Sequence, residues 1–203
     1  MAVNMLLTSS RGVGLHSLIK DEVLEWGGLT TEVISGGQFS DIAKSAKSLL
    51  SSSFGPNSSP RHVYILAGIP DFTTLVKDYS SGKCYKESIL IGTQTEIIER
   101  VKNEIDACSE TIRDAGGRPI FCTITNTNIS QYNHYLLEHN IIHTLLHTQE
   151  YDHMQPQLDE ILSQVNEYIL AHNQRYRMAT PHCHSAIRKH KGRAGEEYYF
   201  FLL

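Results

Sequence analysis

Short apolar runs alternate with stretches of helical spacing through the N-terminal half of the chain, the pattern of a parallel α/β sheet. Met5 to Leu7 forms the first expected strand. Leu15, Leu18, Ile19 and Val23 then recur at helical spacing, and Gly27-Gly28 after Trp26 closes that helix where a C-cap is expected. "TTEVIS" reads as a second strand, and Ile42, Ala43, Ala46 and Leu49 line one face of a second helix. The Ser/Pro/Gly-rich "SSSFGPNSSPR" is a loop that delivers the chain into "HVYILAG", the clearest buried strand. After a turn at "AGIPDF" comes a less regular stretch, "KDYSSGKCYK", expected to be an exposed excursion. Ile97, Val101, Ile105, Cys108 and Ile112 predict a long amphipathic helix ending at "AGG", and "RPIFCTIT" predicts the next strand. Leu158, Ile161, Leu162, Val165 and Ile169 mark a further helix starting near Pro156. The extended segment "ATPHCHSAI" follows it, and "EEYYFFLL" reads as a buried strand or a hydrophobic end left by a boundary.

Composition narrows this picture to one globular domain over residues 1–203, with 40% hydrophobic and 20% charged residues. No apolar run is long enough for a transmembrane span, and the N-terminus lacks a basic segment followed by an apolar stretch of signal-peptide length. An intracellular protein is expected. Cys84, Cys108, Cys122 and Cys183 form no C-x-x-C pair, so reduced structural thiols are expected. The formal charge of −4 is unevenly spread: from Tyr168 to Gly195 there is no Asp or Glu, and six Lys or Arg stand among four histidines. Arg188, Lys189, Lys191 and Arg193 in that segment are candidate contacts to nucleic acid or an acidic partner, and a solvated basic loop is the commoner use of such a run.

Function in an open parallel sheet is expected at the carboxyl ends of the strands, and three loops fall there: "TSSRG", "SGGQFSD" and "AGIPDF". In that order they resemble the SGNH, or GDSL-type, hydrolases, a flavodoxin-like class of esterases and lipases. The family has a Gly-Asp-Ser block after its first strand, a glycine after the second and a Gly-x-Asn-Asp block after the third. The resemblance implies a three-layer α/β sandwich with a central parallel sheet and puts Ser10 in the nucleophile's place. It assigns backbone N–H groups at Gly36 or Gly37, and at Gly68, to an oxyanion hole for a small acyl-ester substrate, with no cofactor or metal. The first block reads Thr8-Ser9-Ser10, without the family's glycine and aspartate, and Pro70 stands where the third block has its asparagine.

"QYNHYLL", "VNEYILAHN" and "TPHCHSAIRKHKGR" leading into "YYFFLL" also resemble divergent branches of the family, including those of mobile elements and viruses. There this run leads into the Asp-x-x-His block that completes the triad, so the chain is expected to stop just before that block. A serine hydroxyl is a weak nucleophile until a histidine takes its proton. Residues 1–203 contain no Asp-x-x-His; the one Glu-x-x-His, Glu150 to His153, precedes the Leu158 helix. Two readings follow: a divergent serine esterase domain, or a catalytically inactive module of the same fold used for binding or assembly.

Three further patterns have structural explanations. Gly12-x-Gly14 could cradle phosphate, but Ser17 stands where a dinucleotide fingerprint has its third glycine. His139, His143 and His147 would stack on one side of a helix whose buried face is Ile141, Ile142, Leu145 and Leu146, giving a partly exposed histidine stripe rather than a zinc site. His182-Cys183-His184 with His190 lacks the second cysteine pair of a tetrahedral site.

Overall fold

The computed structural model describes residues 3–9, 29–52, 61–76, 87–90, 92–139, 145 and 147–178. The elements are β1 (Val3–Ser9), β2 (Leu29–Ile34), α1 (Phe39–Ser52), β3 (Arg61–Leu66) and the short α2 (Ile69–Phe72). They continue as β4 (Thr73–Val76), β5 (Glu87–Leu90), α3 (Gln94–Asp114), β6 (Gly117–Phe121), α4 (Ile129–Glu138) and α5 (Tyr151–Arg175). Strands β2-β1-β3-β6 form a parallel sheet in that order, flanked by helices as expected.

Each long element follows from its apolar pattern. In α1, Phe39, Ile42, Ala43, Ala46 and Leu50 are buried, with Leu49 packed against the core. In α3 all five residues of the 4-4-3-4 stripe are buried, because that spacing keeps them on one face. A capping box starts α3: the Thr93 side chain accepts from Glu96 N–H at 3.3 Å, and the Glu96 carboxylate accepts from Thr93 N–H at 2.8 Å. Those bonds hold the exposed Glu96 carboxyl below its usual range. Cys108 and Cys122 are buried; burial pushes the Cys108 thiol up to about 12, so it stays protonated and inert.

Three expectations are revised. Helix α5 begins at Tyr151 rather than near Pro156, since Tyr151 is buried and Met154 packs on the core ahead of Leu158. Pro156 is tolerated on the exposed side of the second turn, where its missing N–H affects only the Asp152 carbonyl. The stretch around "KDYSSGKCYK" is flanked by an antiparallel pair, β4–β5, running from Thr73↔Leu90 to Val76↔Glu87; residues 77–86 lie outside the described residues. Helix α4 ends at Glu138 and His147 lies outside any helix, so His139 and His147 do not share a helical face. His139 is its C-cap, His143 is outside the described residues, and His147 is held elsewhere: its N–H and Nδ1 lie 3.0 and 2.9 Å from the buried Glu87 carboxylate. Tyr151 donates its hydroxyl to the same carboxylate.

Side-chain amides replace a neighbouring strand along the chain that leaves β6. Asn173 bonds both N–H and C=O of Phe121, Asn166 those of Ile124, and Gln155 the N–H of Ile129 and C=O of Thr127. Asn133 of α4 does the same at Ser88 in β5, at 2.9 Å in each direction. Each carboxamide offers one acceptor and two donors, which matches the paired groups of extended backbone. Among the described residues no helix is long and apolar enough to cross a membrane.

Candidate functional site

Strand β1 lies between β2 and β3, so the chain leaves it toward one side and returns on the other. In such a sheet that reversal opens a crevice at the carboxyl ends of the two central strands. The register puts Ser9 opposite Ile34 and Thr8 opposite both Val33 and Leu66, bringing the ends of all three strands level. Thr8 is fully buried, its hydroxyl 3.0 Å from the Leu66 and Ser9 carbonyls, which ties the end of β1 to β3. Ser10 follows Ser9 directly and lies outside the described residues, as do Gly12 and Gly14.

The second loop is a tight turn. Gly37 N–H donates to Ile34 O at 2.9 Å, with Gly36 at φ 68 in the third position, where a type II turn requires a left-handed residue. That bond uses the Gly37 N–H, and a Cβ at Gly37 would stand 2.6 Å from Ile34 Cγ2. Of the two glycines, Gly36 is the one whose N–H carries no hydrogen bond among the described residues.

The third loop turns at Gly68, φ 127, into α2. Only glycine fits, since a Cβ there would lie 2.5 Å from Ile124 Cδ1 in a conformation unfavourable for any other residue. Gly68 O accepts from Asp71 N–H at 2.9 Å; the Gly68 N–H has no partner among the described residues. Pro70 occupies the second position of α2, which suits proline because that N–H would be unpaired in any case.

Asp71 joins the two loops. Its carboxyl, buried, accepts from the N–H of Phe39 at the start of α1, at 3.2 and 3.3 Å to its two oxygens. Burial pushes its pKa up to about 7; the Phe39 N–H and Arg100 oppose this, and Glu104 and Asp41 add to it. Arg100 donates to the Asp71 carbonyl at 3.1 Å. Gln38, exposed, makes a second tie, its Nε2 donating to Pro70 O at 3.1 Å. The sequence motifs gave no reason to single out Gln38, although it falls between a glycine pair and the first turn of a helix.

The remaining candidates are placed as follows. Glu150 and His153 are linked only through backbone, His153 N–H to Glu150 O at 3.1 Å, and both side chains are exposed. Arg188, Lys189, Lys191, Arg193 and the His182-Cys183-His184 run lie outside the described residues. No cluster of three or more His, Cys, Asp or Glu side chains able to hold a metal occurs among the described residues.

No protein-family model matches the sequence, and no curated protein matches it. Solved structures do. A member of the lipolytic protein G-D-S-L family from Veillonella parvula DSM 2008 is 10% identical at a TM-score of 0.53, covering 93% of this chain and 81% of that one. A candidate acylhydrolase from Bacteroides fragilis NCTC 9343 is 15% identical at 0.55, with 94% and 71% covered. A GDSL-like lipase from Bacteroides thetaiotaomicron VPI-5482 is 14% identical at 0.50, with 88% and 66% covered. At such identities the likeness establishes architecture alone, a parallel sheet flanked by helices: the chain has the SGNH/GDSL-type hydrolase fold.

Proposed function

We propose that the chain is a divergent SGNH-type serine hydrolase domain acting on an ester or acetyl group, with Ser10 as nucleophile. The observation that supports it most is the pair of N–H groups, Gly36 and Gly68, that have no partner among the described residues, on the two loops flanking the end of β1. Backbone donors in that position suit an oxyanion, where each donor contributes on the order of 10²–10³ in rate. Ser10 Oγ would bond to the carbonyl carbon while its proton passes to a histidine and the C=O electron pair moves onto the oxygen. Collapse of that intermediate breaks the bond to the alcohol, which takes the proton; water then releases the acid by the same steps. The reading requires a histidine within reach of Ser10, and residues 1–203 contain no Asp-x-x-His.

On the full-length protein, a fluorophosphonate is expected to label Ser10 and a short-chain acyl ester to be turned over, with both lost in Ser10→Ala. Neither labelling nor turnover would overturn the proposal. It would leave the non-catalytic binding or assembly module, which Pro70 favours by removing the third block's side-chain donor. For that module the basic segment is the contact surface. Binding of a short nucleic acid should then fall steeply with salt and drop at least about tenfold on charge reversal at Arg188 and Lys189. Unchanged affinity in the reversed protein sinks that use.

A further inference from the structure

The family's pattern has an asparagine at the position of Pro70, and proline offers no side-chain donor. The structure brings another carboxamide to the third loop. Gln38 Nε2 donates to the carbonyl of Pro70 itself at 3.1 Å, from a residue 32 positions earlier on the second loop. We propose that Gln38 supplies, from the second loop, the side-chain oxyanion donor that Pro70 removes from the third; the proposal rests on the hydrolase reading above.

Four observations carry it. A primary amide has two N–H bonds, and the Pro70 carbonyl takes one; the other has no partner among the described residues. The side chain is exposed, so its free N–H meets solvent or substrate rather than protein. Both chain neighbours are fixed: Gly37 N–H is held by Ile34 O, and Phe39 N–H by the Asp71 carboxylate. The Gln38 N–H is itself bonded to the Asp41 carboxylate at 3.2 Å, so the amide is presented from an ordered turn. A donor positioned before reaction is what makes such a contact effective in the transition state. Gln38 would join Gly36 and Gly68 as the third donor, with the same functional group as asparagine on one more methylene.

The test uses the full-length protein, a short-chain acyl ester and the variants Gln38→Ala and Gln38→Ala/Pro70→Asn. Gln38→Ala is expected to keep its melting temperature and its KM within about threefold and to lose on the order of 10²–10³ in kcat. Adding Pro70→Asn should restore at least a tenfold part of that loss, by returning the amide to the third loop. Wild-type kcat in Gln38→Ala overturns the assignment while leaving the hydrolase reading intact. A loss that Pro70→Asn does not restore assigns Gln38 to holding the loops together and overturns it as well. Absence of Ser10 labelling and turnover in the unmodified protein removes the hydrolase reading, and the donor role falls with it.

Discussion

Asp71→Asn is expected to make the protein more stable at pH 8 and to leave its stability unchanged near pH 3. The Asp71 carboxyl titrates near 3.8 when free and at about 7 in the fold, chiefly because burial disfavours its charge. Below about pH 4 both states hold the proton, and folding is indifferent to pH on this account. Between about pH 4 and 7 the unfolded chain is ionised while the fold keeps its proton, so stability falls as pH rises. Above about 7 the loss is complete, on the order of 4 kcal/mol for the shift from 3.8 to about 7 at about 1.4 kcal/mol per pKa unit. Asparagine removes the charge and retains an acceptor for Phe39 N–H, so loops two and three stay tied. Urea denaturation at pH 3, 5 and 8 reads the difference directly. A gain of the same size at all three values would show that burial of the charge is not its cause.

His172 works in the opposite direction and shapes the acid side of the same curve. It is buried against Phe121, Tyr168 and Tyr176, its Nε2 is 3.1 Å from Ser109 Oγ, and its Nδ1 has no partner among the described residues. Burial lowers its pKa, with Arg113 and Arg175 adding to that effect and Asp106 opposing it. Its stability contribution is present above its unfolded pKa, about 6.5, and is lost as pH falls toward the lower folded value. Asp71→Asn therefore removes the alkaline limb and leaves the acid one.

What could be read from the sequence is what local periodicity encodes. The stripe Ile97, Val101, Ile105, Cys108 and Ile112 fixes one helix face whatever packs on it, and the structure buries all five. The parallel sheet and its three crevice loops follow from strands of five to seven residues in alternation with helices. The pair β4–β5 has four residues in each strand, too few for an alternating signal. His139, His143 and His147 satisfy helical spacing on paper. The buried Glu87 carboxylate, 60 residues before His147 in the chain, decides the outcome for that residue, and nothing local announces it. The crevice was legible as three loops, because turn residues mark loops. Its ties were not: Gln38 to Pro70 and Phe39 to Asp71 each span 32 residues, and which of Gly36 and Gly37 keeps a free N–H depends on a turn bond. The motifs "YNHY", "VNEY" and "AHN" were visible as a resemblance; their asparagines hold backbone.

Asn173→Leu is expected to be among the most destabilising single substitutions that keep the branched shape of the side chain. Strand β6 is the last strand of the described sheet, and its backbone alternates in direction. Cys122 N–H points to β3, donating to Ile65 O at 2.8 Å, while the N–H and C=O of Phe121 point the other way. There is no strand beside them among the described residues. Asn173, fully buried on α5, takes that place, accepting from Phe121 N–H at 3.2 Å and donating to Phe121 O at 2.8 Å. Leucine keeps the branched shape and the number of heavy atoms, with bulkier methyl groups in place of O and NH2, and two buried backbone groups lose their partners at about 1–3 kcal/mol each. The expected cost is on the order of 2–5 kcal/mol, read as a shift in urea midpoint at constant slope. Asn166→Leu frees the N–H and C=O of Ile124, itself buried, from a side chain that is only half-buried, and should cost less, about 1–2 kcal/mol. Equal costs at the two sites would mean that loss of the amide as such, rather than the depth at which the side chain sits, governs stability. A cost below about 1 kcal/mol at Asn173 would mean that the β6 edge finds other partners when its amide is removed.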